Sequence, residues 1–348
     1  MQTSSEIKRP MRIEGIDWLR AWMSVSVVVW HMMIVPHSDV FSADEFTQHA
    51  FGVSDFVNFH VLLAAVPTFM AVACFLFARK TQSLSTLKSS LRRVILLLAF
   101  WPLAMKLWEG SVGELIDSIP RSPLPLLEYV FRAGNTLYYF FSCLLFCYVL
   151  CYLAARLKTR WISCAWIASV IGVELMPLAA QQFRIPLLAA YWNPLNFAPY
   201  ALGAVLLARW EKSEAFRHNR SRVAVACVVF ATLLAAIEWR WMLDSIHFQY
   251  NQCAFPQYTR SSLVFTAFGL LIAACNPAIR TNVVVSYLAA TSLSLYCLHL
   301  FFVPVADKLI DPEDVSVVGS ILRLVVVLVL SNVAFHVGKL FLKKELLC

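Results

Sequence analysis

Apolar residues run along this chain in stretches of about 20, the length that crosses a hydrocarbon core at about 1.5 Å rise per residue. Such stretches lie at roughly 17–35, 56–78, 90–108, 136–155, 161–180, 194–209, 223–243, 259–275, 283–304 and 318–341. They predict an all-α polytopic membrane protein with about ten transmembrane helices. The sixth stretch is short and holds Pro199, and the start of the second, around Asp55 to His60, is the least sharply bounded. No polar interval is long enough for a separate soluble domain. The longest outward one, 109–135, carries Pro120, Pro123 and Pro125 and is expected to be an irregular extracytoplasmic loop.

The charges sit where a membrane orientation puts them. With the N-terminus in the cytoplasm, the inward intervals and both tails hold most of the 29 basic residues: Lys8, Arg9 and Arg12; Arg79, Lys80, Lys88, Arg92 and Arg93; Arg156, Lys158 and Arg160; Arg209, Lys212, Arg217, Arg220 and Arg222; Arg280; Lys339, Lys343 and Lys344. The first outward interval is acidic (Asp39, Asp44, Glu45, Asp55), and so is the last (Asp307, Asp311, Glu313, Asp314). Both termini are therefore expected in the cytoplasm, with a tail at 1–12, a transmembrane domain at 13–341 and a second tail at 342–348. Orientation accounts for most of the net charge of +8, so no nucleic-acid partner is implied. Composition agrees: 60% of residues are hydrophobic and 14% charged, against about 25% charged in soluble domains, which leaves lipid as the solvent. The ten cysteines fall mostly within apolar runs and form no C-x-x-C pair. Cys143, Cys147 and Cys151 share one helix face and read as packing residues.

Candidate chemistry concentrates in the first helix. From Arg20 to His31 is about 1100° at 100° per residue, within about 20° of three full turns, and Asp17 and Ser24 lie on the same stripe. Asp17 and Arg20, at i and i+3, can pair, and His31 lies about 16 Å further along, where ionisable groups line a polar cavity or the bundle interior. Lys88, Arg92 and Arg93 form a basic patch at the start of the third helix, suited either to a phosphorylated ligand or to lipid headgroups. Tyr296 and His299, at i and i+3, can face one cavity at the depth of His31. Glu238 and Arg240, interleaved with Trp239 and Trp241, suit either sugar binding or an aromatic belt with a local ion pair. Asn135, Tyr138 and Tyr139, at the outer start of the fourth helix, are further candidate polar contacts, while Glu174, Arg323 and His336 are intramembrane without a motif. No metal-ligand spacing such as H-E-x-x-H occurs.

These elements together resemble the acyltransferase-3 family of integral-membrane O-acyltransferases. Glu14-Gly15-Ile16-Asp17-Trp18-Leu19-Arg20, with His31, is similar to the family's R-x10-H element. Val66-Pro67-Thr68-Phe69-Met70 and Phe75-Leu76 resemble its second-helix segment, Leu202-Gly203-Ala204 its sixth helix, and Ser292-Leu293-Ser294-Leu295-Tyr296-Cys297-Leu298-His299 its late S-x-x-x-Y-x-x-H element. The basic stretch Leu87 to Arg93 resembles the R-x-x-R element, but Ser90 stands where its first arginine belongs, and Ala73-Cys74 replaces Ser-Gly in the second helix.

The resemblance implies transfer of an acyl group, most often acetyl, from cytoplasmic acyl-CoA (acetyl-CoA) to a hydroxyl of a cell-surface or lipid-linked carbohydrate, in the inner (plasma) membrane and without a metal. It implies His31 and Arg20 as catalytic and Arg92, Arg93 and Lys88 at the donor, with Tyr296 and His299 of the late element toward the acceptor; Glu238 and Trp239 are expected there from their own chemistry, not from the resemblance. His31 is then a general base or a transient acyl carrier. A glucan-type O-succinyltransferase, a non-enzymatic secondary transporter and an inactive scaffold remain as alternatives. A transporter should show paired broken helices in corresponding halves, and no such repeat is visible.

Overall fold

The computed structural model describes residues 12–35, 52–80, 82–110, 113, 119–245, 257–311 and 316–347. Lys8, Arg9, Asp39, Asp44, Glu45, Glu313 and Asp314, used above for orientation, lie outside the described residues. The described residues are mostly helical, with no strand among them. Each apolar stretch corresponds to a helix: α1 (Glu14–His31), α2 (Val53–Ala78), α3 (Leu84–Trp108), α5 (Tyr139–Ala154), α6 (Thr159–Phe183), α7 (Ala198–Trp210), α8 (Glu214–Ser245), α9 (Ser261–Ala274), α10 (Val283–Leu309) and α11 (Val317–Phe341). Five of these, α2, α6, α8, α10 and α11, are long and apolar enough to cross a membrane by themselves, while α5 and α9 are apolar but shorter.

Short polar caps set the helix starts. Ser83 accepts a hydrogen bond from the Thr86 amide, Asn282 from Val285 and Ser316 from Gly319, each satisfying a donor that the first helical turn leaves open. The interval expected to be irregular contains a further helix, α4 (Pro123–Phe131). Its prolines start the helix rather than break it, because a first-turn residue has no amide bond to lose. At the other end, 344–347, expected as part of a tail, forms a short helix, α12 (Lys344–Leu347), packed on α3 and α11. The carbonyl of Leu346 accepts a bond from Trp101 Nε1 at 3.2 Å, and Ser294 donates to that of Leu347.

Burial divides the bundle into two shells. In α2, 72% of the apolar window is buried, whereas in α8 the share is 22% and in α6 and α11 28%. On α8, Val225, Val229, Leu233 and Ile237 are exposed at i+4 intervals, and Ile321, Val325, Val329 and Val333 repeat this on α11. Such continuous apolar stripes on an outer face are stable only against lipid. Inside, α1 packs on α2, α9 and α10, and α7 packs on α2, α5 and α6. Close approach there needs small residues: a Cβ on Gly15 would sit 2.1 Å from the Ala274 carbonyl oxygen, and one on Gly203 2.4 Å from the Phe268 ring. Cys143, Cys147 and Cys151 act alike, each placing a buried thiol 3.3–3.4 Å from the carbonyl of Trp192, Phe197 or Ala201.

Candidate active site

The polar stripe of α1 runs up the middle of this inner shell. Asp17, expected to pair with Arg20, carries a salt bridge to Arg12 at 2.6 Å. Ser24 is buried and donates to the Ala21 carbonyl. The stripe ends on His31, the last residue of the helix, where the chain turns through Met33 at a left-handed φ of 49°.

His31 Nδ1 lies 2.7 Å from His299 Nε2 on α10. The two ring planes differ by 7° and their centroids are 4.9 Å apart. One 2.7 Å bond plus a ring radius at each end accounts for that separation, so the imidazoles meet edge to edge in one plane rather than face to face. His299 is fully buried, and its Nδ1 is 3.0 Å from the Leu295 carbonyl oxygen, one turn back on α10. His31 is half-buried and borders a hollow of about 20 Å³, with Trp30, Tyr139, Tyr258 and Tyr296 on its walls.

Beside this hollow lies an open cavity of about 480 Å³. Val66 and Tyr296 line both, so these two side chains form the partition. The cavity wall is apolar over Phe69, Val72, Leu97 and Phe140, whereas Arg20, Lys80, Ser90 and Arg93 supply polar and basic groups. Of the basic patch on α3, Arg93 faces this space, and Lys88 and Arg92 are exposed residues outside its lining. Ser90 faces the cavity one turn before Arg93. Lys80, which sequence reasoning left in the background, adds a cation from the end of α2. Tyr296 donates its hydroxyl to the Leu137 carbonyl at 3.1 Å.

The other candidates are placed elsewhere. Glu238 is buried, takes a bond from the Ser262 amide at 2.7 Å and accepts the Ser262 hydroxyl, both at the start of α9. Glu174 accepts from the Ser261 amide at 2.8 Å. Arg260, the residue before α9, lies within electrostatic reach of Glu238 and donates to the Phe59 carbonyl. Trp239 is buried with its ring 5.6 Å from Phe59. Arg240 is exposed. Tyr138 donates to the Cys297 carbonyl at 2.7 Å, Tyr139 to the Tyr258 hydroxyl at 3.0 Å, and Asn135 occupies a left-handed turn at φ 59°. Arg323 pairs with Asp307 at 2.5 Å, and His336 Nε2 meets the Tyr287 hydroxyl at 2.9 Å.

Sequence reasoning missed His60 and Arg260, both buried in this second cluster. Residues 57–62 of α2 form a π-helical turn, with Leu63 N bonded to Asn58 O, and this widened turn buries Asn58, Phe59 and His60 together. His60 Nε2 then lies 2.9 Å from Thr266 Oγ1. An ionisable residue inside an apolar span was the available signal. Among the described residues, no three His, Cys, Asp or Glu side chains gather to hold a metal.

A family model described as an acyltransferase domain, of the acyltransferase-3 type, matches residues 13–334. No curated protein and no solved structure matches the chain.

Proposed function

The chain belongs to the acyltransferase-3 family, and on that premise we propose that it is a multi-pass O-acyltransferase of the plasma membrane. It takes an acyl group, acetyl in the first instance, from cytoplasmic acyl-CoA and passes it to a hydroxyl of a cell-surface or lipid-linked carbohydrate. The observation that carries this reading is the position of His31: it sits on the same helix stripe as Arg20, one partition away from an open cavity with basic residues on its wall.

In this reading the donor enters the larger cavity with its phosphates against Arg93 and Lys80, with Ser90 beside them, and with Lys88 and Arg92 raising the local potential outside. Its acyl-bearing arm lies along the apolar wall toward Tyr296. Arg20, about 16 Å before His31 on the same helix face and on the wall of the larger cavity, guides the donor's arm along that face toward it. His31 takes the proton of the acceptor hydroxyl, or carries the acyl group transiently. The hydroxyl of the acceptor reaches His31 through the hollow of about 20 Å³ that Trp30, Tyr139 and Tyr258 line, which has room for a hydroxyl and leaves the sugar ring outside it.

The test is mass spectrometry of surface glycans from a deletion strain complemented with wild type or with His31→Ala at equal membrane abundance. Wild type should restore one acyl mass, and His31→Ala should lower its appearance by roughly 1,000-fold, within the range of a positioned acid–base group. Full acylation by the variant removes His31 from the chemistry. Glycans that do not change on deletion remove the carbohydrate acceptor.

A further inference from the structure

The geometry of the histidine pair decides which nitrogen of His31 holds the proton. The Leu295 carbonyl oxygen can only accept a hydrogen bond, so His299 Nδ1, 3.0 Å away, carries a hydrogen. A neutral imidazole has one N–H, which leaves His299 Nε2 as a lone pair. The 2.7 Å bond between the rings therefore takes its hydrogen from His31 Nδ1. Neutral His31 has one N–H, and with that hydrogen on Nδ1 its Nε2 is unprotonated. The alternative, a doubly protonated His299, would put a cation at a fully buried position among apolar helices, where charge is most costly.

We infer that His299 is a positioning residue: bonded to the Leu295 carbonyl, it holds His31 in its Nδ1–H form in the common plane of the two rings and presents the Nε2 lone pair for proton abstraction. As a contribution to catalysis, this rests on the acyl-transfer reading above. When the acceptor oxygen attacks the thioester carbon, the C–O bond forms and the C–S bond breaks. The hydroxyl proton moves to His31 Nε2 and then to the departing sulfur, which leaves as a thiol. His31 Nδ1–H stays on His299 Nε2 throughout, and while His31 is an imidazolium that bond becomes charge-assisted and stronger. A carboxylate partner would do the same while adding a buried negative charge. A neutral imidazole, its own tautomer fixed by a helix carbonyl, does it without one. With both ring nitrogens engaged and no exposed surface, His299 acts through His31 rather than on substrate.

The tautomer can be read without any turnover. The full chain, labelled with ¹⁵N-histidine and placed in lipid bilayers, is examined by solid-state NMR near neutral pH, with the His31 signals identified by their loss in His31→Gln. In wild type, Nδ1 of His31 should be protonated and Nε2 unprotonated. His299→Gln, whose amide oxygen can accept at the same reach, should keep that pattern. His299→Phe should release His31 to the Nε2–H form that isolated imidazoles favour. In parallel, kcat should fall roughly 100-fold in His299→Phe with donor KM unchanged, and recover to within about tenfold of wild type in His299→Gln. A wild-type His31 protonated on Nε2 overturns the inference, and so does a His299→Phe protein with unchanged tautomer and rate. Should His299→Phe fail to fold, wild type and His299→Gln still decide the tautomer. The expected tautomer in a chain that transfers no acyl group supports the pairing and overturns the functional reading instead.

Discussion

Two clusters of ionisable side chains lie inside this apolar bundle, and they differ in where their hydrogen bonds end. Around the start of α9, Glu238 and Glu174 receive the amides of Ser262 and Ser261, Arg260 donates to a backbone carbonyl, and His60 meets Thr266. These bonds terminate on structural groups, and the carboxylates sit at the positive end of a helix dipole, where they are stabilising. Around His31 the relay starts on the Leu295 carbonyl, passes through His299 to His31, and the group at its far end borders a hollow beside an open cavity. Ionisable residues inside a membrane are costly in either case. What separates a scaffold cluster from a chemical one is whether its last proton or lone pair faces backbone or open space.

The largest effect that can break this contrast comes from Glu238. Glu238→Leu leaves the buried Ser262 amide and hydroxyl without their acceptor, a loss of about 1–3 kcal/mol for each unsatisfied donor. Thermal unfolding of the full chain in detergent should show a markedly lower midpoint. Acyl transfer per folded molecule should stay within about threefold of wild type, since a scaffold change of this kind leaves transition-state contacts in place. An unchanged midpoint with collapsed activity would reverse the assignment and put Glu238 at the acceptor.

A smaller effect probes the open cavity. Arg93 is exposed but faces that space, whereas Arg92, its neighbour, lies outside the lining. Arg93→Ala should raise donor KM by roughly tenfold with kcat nearly unchanged, the pattern of lost binding to a charged ligand that is shared by ground and transition states. The difference should shrink at high salt, because exposed charges are screened. Arg92→Ala, measured by the same kinetics, should change KM by less than about threefold, the size of a long-range surface charge effect. Equal losses from both would mean that the patch acts as a diffuse field and not through the side chain that faces the cavity.

Much of this architecture is legible along the chain because lipid imposes one period and one length on a helix. All ten apolar stretches became helices. The departures came from residues whose meaning depends on position. Pro123, read as a loop marker, starts α4 because a first-turn proline gives up no hydrogen bond. The start of α2 was blurred by Asp55, Asn58 and His60, which a π-helical turn buries. At the site, the Arg20–His31 stripe follows from 100° per residue, a local rule. The contact from His31 to His299 spans 268 positions, and sequence could supply only a matching depth. Glu238 stands beside tryptophans along the chain, but the groups it bonds, in the first turn of α9, arrive through tertiary packing. Which basic residue on α3 faces inward depends on helix rotation, which no charge count contains.

The smallest predicted effect isolates the role of surroundings, since the bond that secures Glu238 recurs at the edge of the bundle. Glu14 accepts from the Thr281 amide at 2.7 Å and from its hydroxyl at 3.1 Å, with Arg280 3.6 Å away, tying the start of α1 to the segment before α10. These contacts, the Thr281 amide foremost, hold the Glu14 carboxyl below its ordinary value of 4.5. A carboxylate lowered in the folded state adds stability that is present above its unfolded value and is lost as pH falls through the folded one. Wild type should therefore unfold at a slightly higher temperature than Glu14→Gln above about pH 4.5, with the two midpoints converging in more acidic buffer and in high salt. Carboxylate and amide are the same pair of groups in both places. A Glu14→Gln loss as large as that of Glu238→Leu would mean that burial is not what gives the inner cluster its weight.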